Sequence, residues 1–181
     1  MKRSSEDTKA AILAAARQRF GATGFHGTTI RSIAADAGID PAMVMRYYGS
    51  KERLFAAAAE FNLRFPDFTT IDPADVGRAL VRHFLERWES DPGLVVLLRS
   101  SATNTEAAQR MNDIFSGQVR PLVTALAPAE DAAVRAGLIA TQILGMALCR
   151  FVLRLPPVVE MTPEQIVDWL GPTIQRYLGL A

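Results

Sequence analysis

Ten of the chain's Lys and Arg residues fall in its first 66 positions against six Asp and Glu, a local net charge of +4, whereas residues 67–181 carry ten against thirteen, a net −3. A basic module followed by an acidic one is suited to gripping a polyanion at one end and doing something else at the other. The other residues that could do chemistry are few. Cys149 is the single cysteine and lies within an apolar run, where a buried, inert thiol is expected, and it can form no intramolecular disulfide. His26 and His83 lie far apart and have no metal-ligand spacing between them. No Gly-rich phosphate loop and no convergent nucleophile and base appear. The sequence therefore predicts no metal, no cofactor and no enzymatic activity.

Helical spacing recurs along the chain and alternating strand patterns do not, so the fold class is all-α, with about nine helices. Ile12, Ala16 and Phe20 define one face of a first helix from Glu6 to Gly21, ended by Gly21 and Gly24. Thr28 or Thr29 caps a short second helix with the apolar stripe Ile30, Ile33, Ala34 and Ala37. Gly38 stops it, and Asp40-Pro41 starts a third helix to Tyr48, aspartate capping free N–H groups and proline occupying the first helical position. Gly49 and Ser50 then introduce a fourth helix, predicted to continue to Pro66. The tight turn Ala37-Gly38-Ile39-Asp40 between two short helices is a helix-turn-helix signature. Glycine takes the positive φ, Ile39 plugs the angle between the helices, and the second of them is free to enter a DNA major groove.

The segment Phe25-His26-Gly27-Thr28-Thr29-Ile30-Arg31-Ser32-Ile33-Ala34 resembles the N-terminal signature of the TetR family of transcriptional regulators. Ala37-Gly38-Ile39-Asp40-Pro41 and Tyr47-Tyr48-Gly49-Ser50-Lys51-Glu52-Arg53-Leu54 resemble two further pieces at the family's mutual spacing, and the likeness covers residues 8–60. The resemblance implies a homodimer that binds a pseudopalindromic double-stranded operator, usually as a repressor. It places Pro41, Ala42 and Met43 against base edges, where small apolar side chains meet thymine methyl groups. It makes Arg31 a candidate for a guanine, Arg46 for a base or a phosphate, and Thr28, Tyr47, Ser50 at the next helix N-terminus and Lys51 for phosphate oxygens. Met45 departs from the family, which usually has an aromatic there.

The predicted division is a helix-turn-helix domain over 1–50, a connecting helix over 51–66 and a helical regulatory and dimerisation domain over 67–181. In the last, one helix from Ala129 to Leu155 is apolar on nearly all sides between Leu138 and Leu153, more than one small protomer covers. A partner face through Leu138, Gly145, Leu148 and Val152 is expected. The resemblance implies a four-helix dimer bundle, with Ile166, Trp169, Leu170, Ile174 and Tyr177 of the last helix as its second element. Pro121 is expected to kink the helix from Glu106 to Leu126, and Pro172 the last one.

The resemblance also implies a small-molecule effector, of unidentified structure, that binds the DNA-incompetent state better and so lowers DNA affinity. Phe84, Trp88, Leu97, Met111, Phe115, Ile143 and Met146 are candidates for an apolar pocket, and core packing accounts for the same stripes. The apolar run Ala136–Cys149 is short of the roughly 20 residues that span a bilayer, and Glu6 and Asp7 argue against a signal peptide. No membrane partner and a cytoplasmic location are expected. The rival reading is a helical adaptor that dimerises without sequence-selective DNA binding.

Overall fold

The computed structural model describes residues 4–58, 61–128 and 130–180, which contain helices and no strand. In chain order the helices are α1 (Ser5–Gly27), α2 (Ile30–Ala37), α3 (Pro41–Tyr48), α4 (Lys51–Ala58), α5 (Val76–Ser90), α6 (Pro92–Ser101), α7 (Thr105–Ile114), α8 (Arg120–Leu126), α9 (Ala132–Ala147), α10 (Pro156–Glu160) and α11 (Pro163–Leu178). They form two units, Met1–Phe61 with Pro92–Met111, and Asn62–Asp91 with Asn112–Ala181. This differs from the predicted boundary at residue 67, because α6 belongs to the N-terminal unit.

The reason lies in α1. Ser4 and Asp7 close a reciprocal cap at its start, and Ile12, Ala16 and Phe20 are fully buried, as their spacing predicts. Gly21 does not end the helix. It admits α6, since a Cβ there would lie 3.0 Å from Val96 Cγ2. The break comes at Gly24, whose φ of +71° is open to glycine at little cost. Arg99 of α6 donates to the Gly21 carbonyl, satisfying one of the acceptors that a helix C-terminus leaves free.

In the second unit α5 and α11 cross closely at a pair of glycines. A Cβ on Gly77 would lie 2.5 Å from the Gly171 carbonyl oxygen, and one on Gly171 would lie 2.8 Å from Arg78 Cγ. The two backbones meet because both residues lack a side chain. Gln175 fastens the crossing, its Oε1 accepting from Gly77 N at 2.7 Å and its Nε2 donating to the Pro73 carbonyl. Gly77→Val is expected to cost the upper end of the ~1–3 kcal/mol typical of overpacking. At this chain length that lowers Tm by about 6–12 °C. An unchanged Tm in a calorimetric scan would show that the helices do not depend on this crossing.

Three predicted elements take a different form. The fourth helix does not run to Pro66: α4 ends at Ala58, residues 59–60 lie outside the described residues, and 61–67 are irregular. Asn62 Oδ1 accepts from Arg64 N, Arg64 has φ +49°, and Leu63 N donates to Gln118 Oε1 at 2.8 Å. Pro66 disfavours helical backbone at Phe65, and His83 Nε2 lies 2.8 Å from the Leu63 carbonyl oxygen, tying the irregular segment to α5.

Pro121 is accommodated by a π turn, Phe115–Val119, that separates α7 from α8 and leaves the proline in the first turn of α8. A second π turn, Leu148–Val152, continues α9, so the helical stretch reaches 21 residues from Ala132 to Val152. By length and composition it is apolar enough to cross a membrane, where the shorter run Ala136–Cys149 reads as too short, and 28% of its apolar window is buried within the single chain. Ala136, Ile139, Ile143 and Ala147 form its buried stripe. Helix α11 runs across Pro172 from Pro163 to Leu178 without a break.

Candidate nucleic-acid interface

The N-terminal unit builds this site from α2, α3 and the start of α4. Thr29 caps α2 reciprocally with Ser32, and Gly38 ends it at φ +63°. Asp40 caps α3 by accepting from Ala42 N at 2.7 Å, with Pro41 at the first helical position. Arg19 of α1 pairs with Asp36 of α2, its Nη2 2.7 Å from Oδ1. That hydrogen bond, made to the charged form, holds the Asp36 carboxyl below the usual carboxylate range. The pair's contribution is therefore present above the ordinary aspartate range and lost as pH falls through the lowered value.

Val44 is the single residue of α3 buried against its own unit. Pro41, Ala42, Met45 and Arg46 are exposed, and Met43 and Tyr47 half-buried. The exposed four occupy positions i, i+1, i+4 and i+5, one continuous face of a helix. Met45, 42% exposed, stands on it. A helix this short with so little of its surface packed is one whose surface is available to a groove. Arg31 is exposed on α2.

Around that face lie groups suited to phosphate. Lys51 Nζ sits 4.4 Å from the centroid of the Phe25 ring, and Phe25 packs edge-on against Phe55. The ammonium is thus oriented by a cation–π contact on a packed ring. Ser50 caps α4 by accepting from Arg53 N. The Glu52 carboxyl is held below its usual range by its own backbone N–H and by the Ser50 hydroxyl. Glu52 therefore places negative charge at the helix terminus expected to meet phosphate. Glu52→Gln should tighten duplex binding a few-fold at low salt, the gain shrinking as salt screens it, and fluorescence anisotropy checks this.

Two residues have neighbours within the unit that the sequence did not show. Thr28 was expected to reach phosphate, but it is 1% exposed, its hydroxyl donating to the Gly24 carbonyl at 2.7 Å and lying 2.9 Å from Thr23 Oγ1. It fixes the turn before α2, and Thr29 is the exposed hydroxyl there. Tyr47 OH lies 3.2 Å from Ser5 Oγ, with Lys9 Nζ 5.8 Å from the ring centroid. Ser5 and Lys9 of α1 thus join the rim, Lys9 with a positive charge and Ser5 with a hydroxyl. The sequence left them out because helical spacing shows only that they face water, and not that α1 starts beside α3.

In the second unit the residues expected at a partner face separate into two sets. Leu138, Gly145 and Leu148 are exposed, Val152 half-buried, and Trp169 80% exposed. With Val134 and Thr141 they extend an exposed stripe at 134, 138, 141, 145 and 148, a seven-residue repeat along α9 and its π turn. A Cβ on Gly145 would meet nothing within 4 Å, so its own fold leaves that space open. Leu170 and Tyr177 are half-buried. Ile166 and Ile174, 4% and 0% exposed, are core residues of their own protomer, because α11 turns that stripe towards α5 and α9.

The apolar pocket candidates also separate. Leu97 and Met111 fall in the N-terminal unit; Phe84, Trp88, Phe115, Ile143 and Met146 fall in the second. Trp88, 3% exposed, stacks on Phe151 of the second π turn at 6.0 Å, and its Nε1 is buried with no hydrogen-bond partner among the described residues. Phe84 meets the ring of Phe65 edge-on.

An all-α chain whose N-terminal unit turns a short, capped helix outward between cationic side chains has the architecture of a DNA-binding regulator. Residues 12–58 match the family described as bacterial regulatory proteins, tetR family, and residues 74–178 match the tetracyclin repressor-like C-terminal domain. The chain is 31% identical over 142 residues to the HTH-type transcriptional repressor SCO4008 of Streptomyces coelicolor, covering 71% of this chain and 74% of that protein. Over 56 residues it is 45% identical to the HTH-type transcriptional dual regulator CecR of Shigella flexneri, covering 31% of this chain and 25% of the other. A solved TetR-family regulator of Streptomyces coelicolor A3 shares 28% identity, with a TM-score of 0.63 and 98% of each chain covered. NalD, the secondary repressor of the MexAB-OprM multidrug efflux pump in Pseudomonas aeruginosa, shares the fold at 23% identity, with a TM-score of 0.69 and 96% and 97% covered. The chain belongs to the TetR family of bacterial transcriptional regulators.

Proposed function

We propose that this chain is a ligand-responsive, homodimeric repressor of the cytoplasm, binding a pseudopalindromic operator and released by a small, apolar effector. The observation that carries the reading is the exposed face of α3, bordered by Arg31, Lys51, Ser5 and Lys9. Pro41, Ala42, Met43 and Met45 supply apolar contact to base edges, and Arg46 supplies the charged contact of that helix. Lys51, Tyr47 with Ser5, and the α4 N-terminus at Ser50 hold phosphates. One such helix reads few base pairs, so a two-fold dimer reading two half-sites is needed for selectivity. The stripe Leu138, Gly145, Leu148 and Val152 on α9 and its π turn, with Trp169, Leu170 and Tyr177 on α11, is its interface. Burial against a second copy also accounts for the apolar, outward-facing length of α9 without a membrane.

The effector reading is supported by Trp88, whose buried indole N–H has no partner among the described residues and so offers a hydrogen bond to a guest. Phe84, Phe115, Ile143 and Met146 supply apolar surface in the same unit. Such a guest must bind the DNA-incompetent state better than the competent one. The test is a screen of apolar compounds for release of a bound operator duplex, repeated with Trp88→Phe. Loss of response to an active compound with operator affinity retained is the expected result. An undiminished response would remove Trp88 from the effector site.

A further inference from the structure

The N-terminal unit contains a cleft of about 320 Å³ between the end of α1 and the end of α6, with Thr23, His26, Arg99, Ser100, Thr103 and Asn104 in its lining. These bring a guanidinium, an imidazole, three hydroxyls and an amide, and the lining includes no carboxylate. The Thr23 hydroxyl already donates to the Arg19 carbonyl, and the other groups donate hydrogen bonds and favour negative charge.

Ser100 marks the cleft as a built site. It is 5% exposed, and its Oγ is buried with no hydrogen-bond partner among the described residues. A buried hydroxyl without a partner is unfavourable, and a guest that accepts from it removes the penalty. Arg99 is fixed beside it, because Nη1 donates to the Gly21 carbonyl, with the Ala22 carbonyl oxygen at 3.4 Å, while Nε and Nη2 make no bond among the described residues. Asn104 Oδ1 accepts from Ala107 N at 2.9 Å, which leaves its NH₂ as a further donor. The carbonyls at the end of α1 disfavour an anion, and Arg99 satisfies and offsets them.

We propose that this cleft binds a small oxyanion, a carboxylate or a phosphate, through the Ser100 hydroxyl and the free edge of the Arg99 guanidinium. The volume is at the lower end for small-molecule sites, which limits the guest to a compact one. Its lining includes Thr23 and Gly24, the two residues that hold the Thr28 hydroxyl in the turn before α2. A guest here touches the turn that positions the helix-turn-helix.

The test is isothermal titration of the full chain with sodium succinate and, separately, with sodium phosphate, at constant ionic strength up to about 20 mM ligand. Saturable binding of one of them is expected, and which one distinguishes a carboxylate from a phosphate. Ser100→Ala removes an unpaired group, so it should melt no lower than the natural chain while binding about tenfold more weakly. Arg99→Lys keeps the charge and loses the planar fork, and should weaken binding as well. No saturable binding of either anion, or undiminished affinity in Ser100→Ala, would overturn the proposal.

Discussion

Replacing Arg46 with alanine should reduce operator affinity by about two to three orders of magnitude while leaving the protein folded and dimeric. Arg46 is exposed on the outer face of α3, one residue from Met45 and a turn from Ala42, and Val44, not Arg46, is the residue that α3 buries. A charged contact to a base edge or phosphate contributes about 1–3 kcal/mol. A two-fold dimer loses it twice, so ~2 kcal/mol per half-site is ~4 kcal/mol, close to a thousandfold. Two further readings locate the contact. If Arg46 meets phosphate, the variant weakens all sequences alike and lowers the salt slope by about one per half-site; if it meets a base, discrimination relaxes at one position of each half-site. Unchanged affinity would take Arg46 off the interface and leave Arg31 as the candidate for direct readout.

Leu148→Glu should convert the dimer to a monomer at micromolar concentration. Leu148 lies on the exposed stripe that includes Leu138 and Gly145, and it is 37% exposed in the isolated chain, so glutamate there is tolerated by the protomer. In the dimer the same carboxylate would be buried without a partner, a penalty of several kcal/mol per ion that applies on both sides of the two-fold axis. Sedimentation gives the mass. Trp169, 80% exposed in the isolated chain, gives an independent signal: its emission should shift to the red when the partner no longer covers it, whereas the buried Trp88 should not change. Operator affinity should fall as well, since a monomer reads one half-site. A variant that remains a full-strength dimer would place the interface elsewhere.

The N-terminal unit was largely legible in the sequence because its signals are local. Gly38, Asp40 and Pro41 each dictate a backbone conformation within a few residues, and the helices they bound, α2 and α3, have the predicted ends. What was not legible depends on distant neighbours. Thr28 and Thr29 are adjacent and chemically identical, and only the Gly24 break decides that the first is buried and the second caps α2. Gly21 has the composition of a helix stop, yet it is a packing position whose meaning is set by Val96. Gly77 and Gly171 form a close helix crossing in the second unit from 94 residues apart, and neither showed a turn or cap signal.

The faces of α9 and α11 were half legible. The apolar content of α9 showed that it exceeds what one small protomer covers, but its sequence could not say which stripe forms the protomer's own core. Ile166 and Ile174 have the residue type of an interface and the placement of a protomer core. Both π turns escaped the reading, because an inserted residue leaves hydrophobic spacing almost unchanged while altering which side chains follow it. Leu63, Phe65 and Pro66 illustrate the reverse case. Their apolar spacing continues α4, yet the chain is irregular there, held by Gln118 and His83.

The most direct test of the operator-binding dimer is selection of bound duplexes from a random DNA pool at about 150 mM salt, where weak nonspecific phosphate binding is suppressed. The expected result is enrichment of a site with two-fold symmetry, lost when Arg46→Ala protein is used. No enrichment by protein shown to be folded and dimeric would contradict the account and support a helical adaptor without sequence-selective DNA binding.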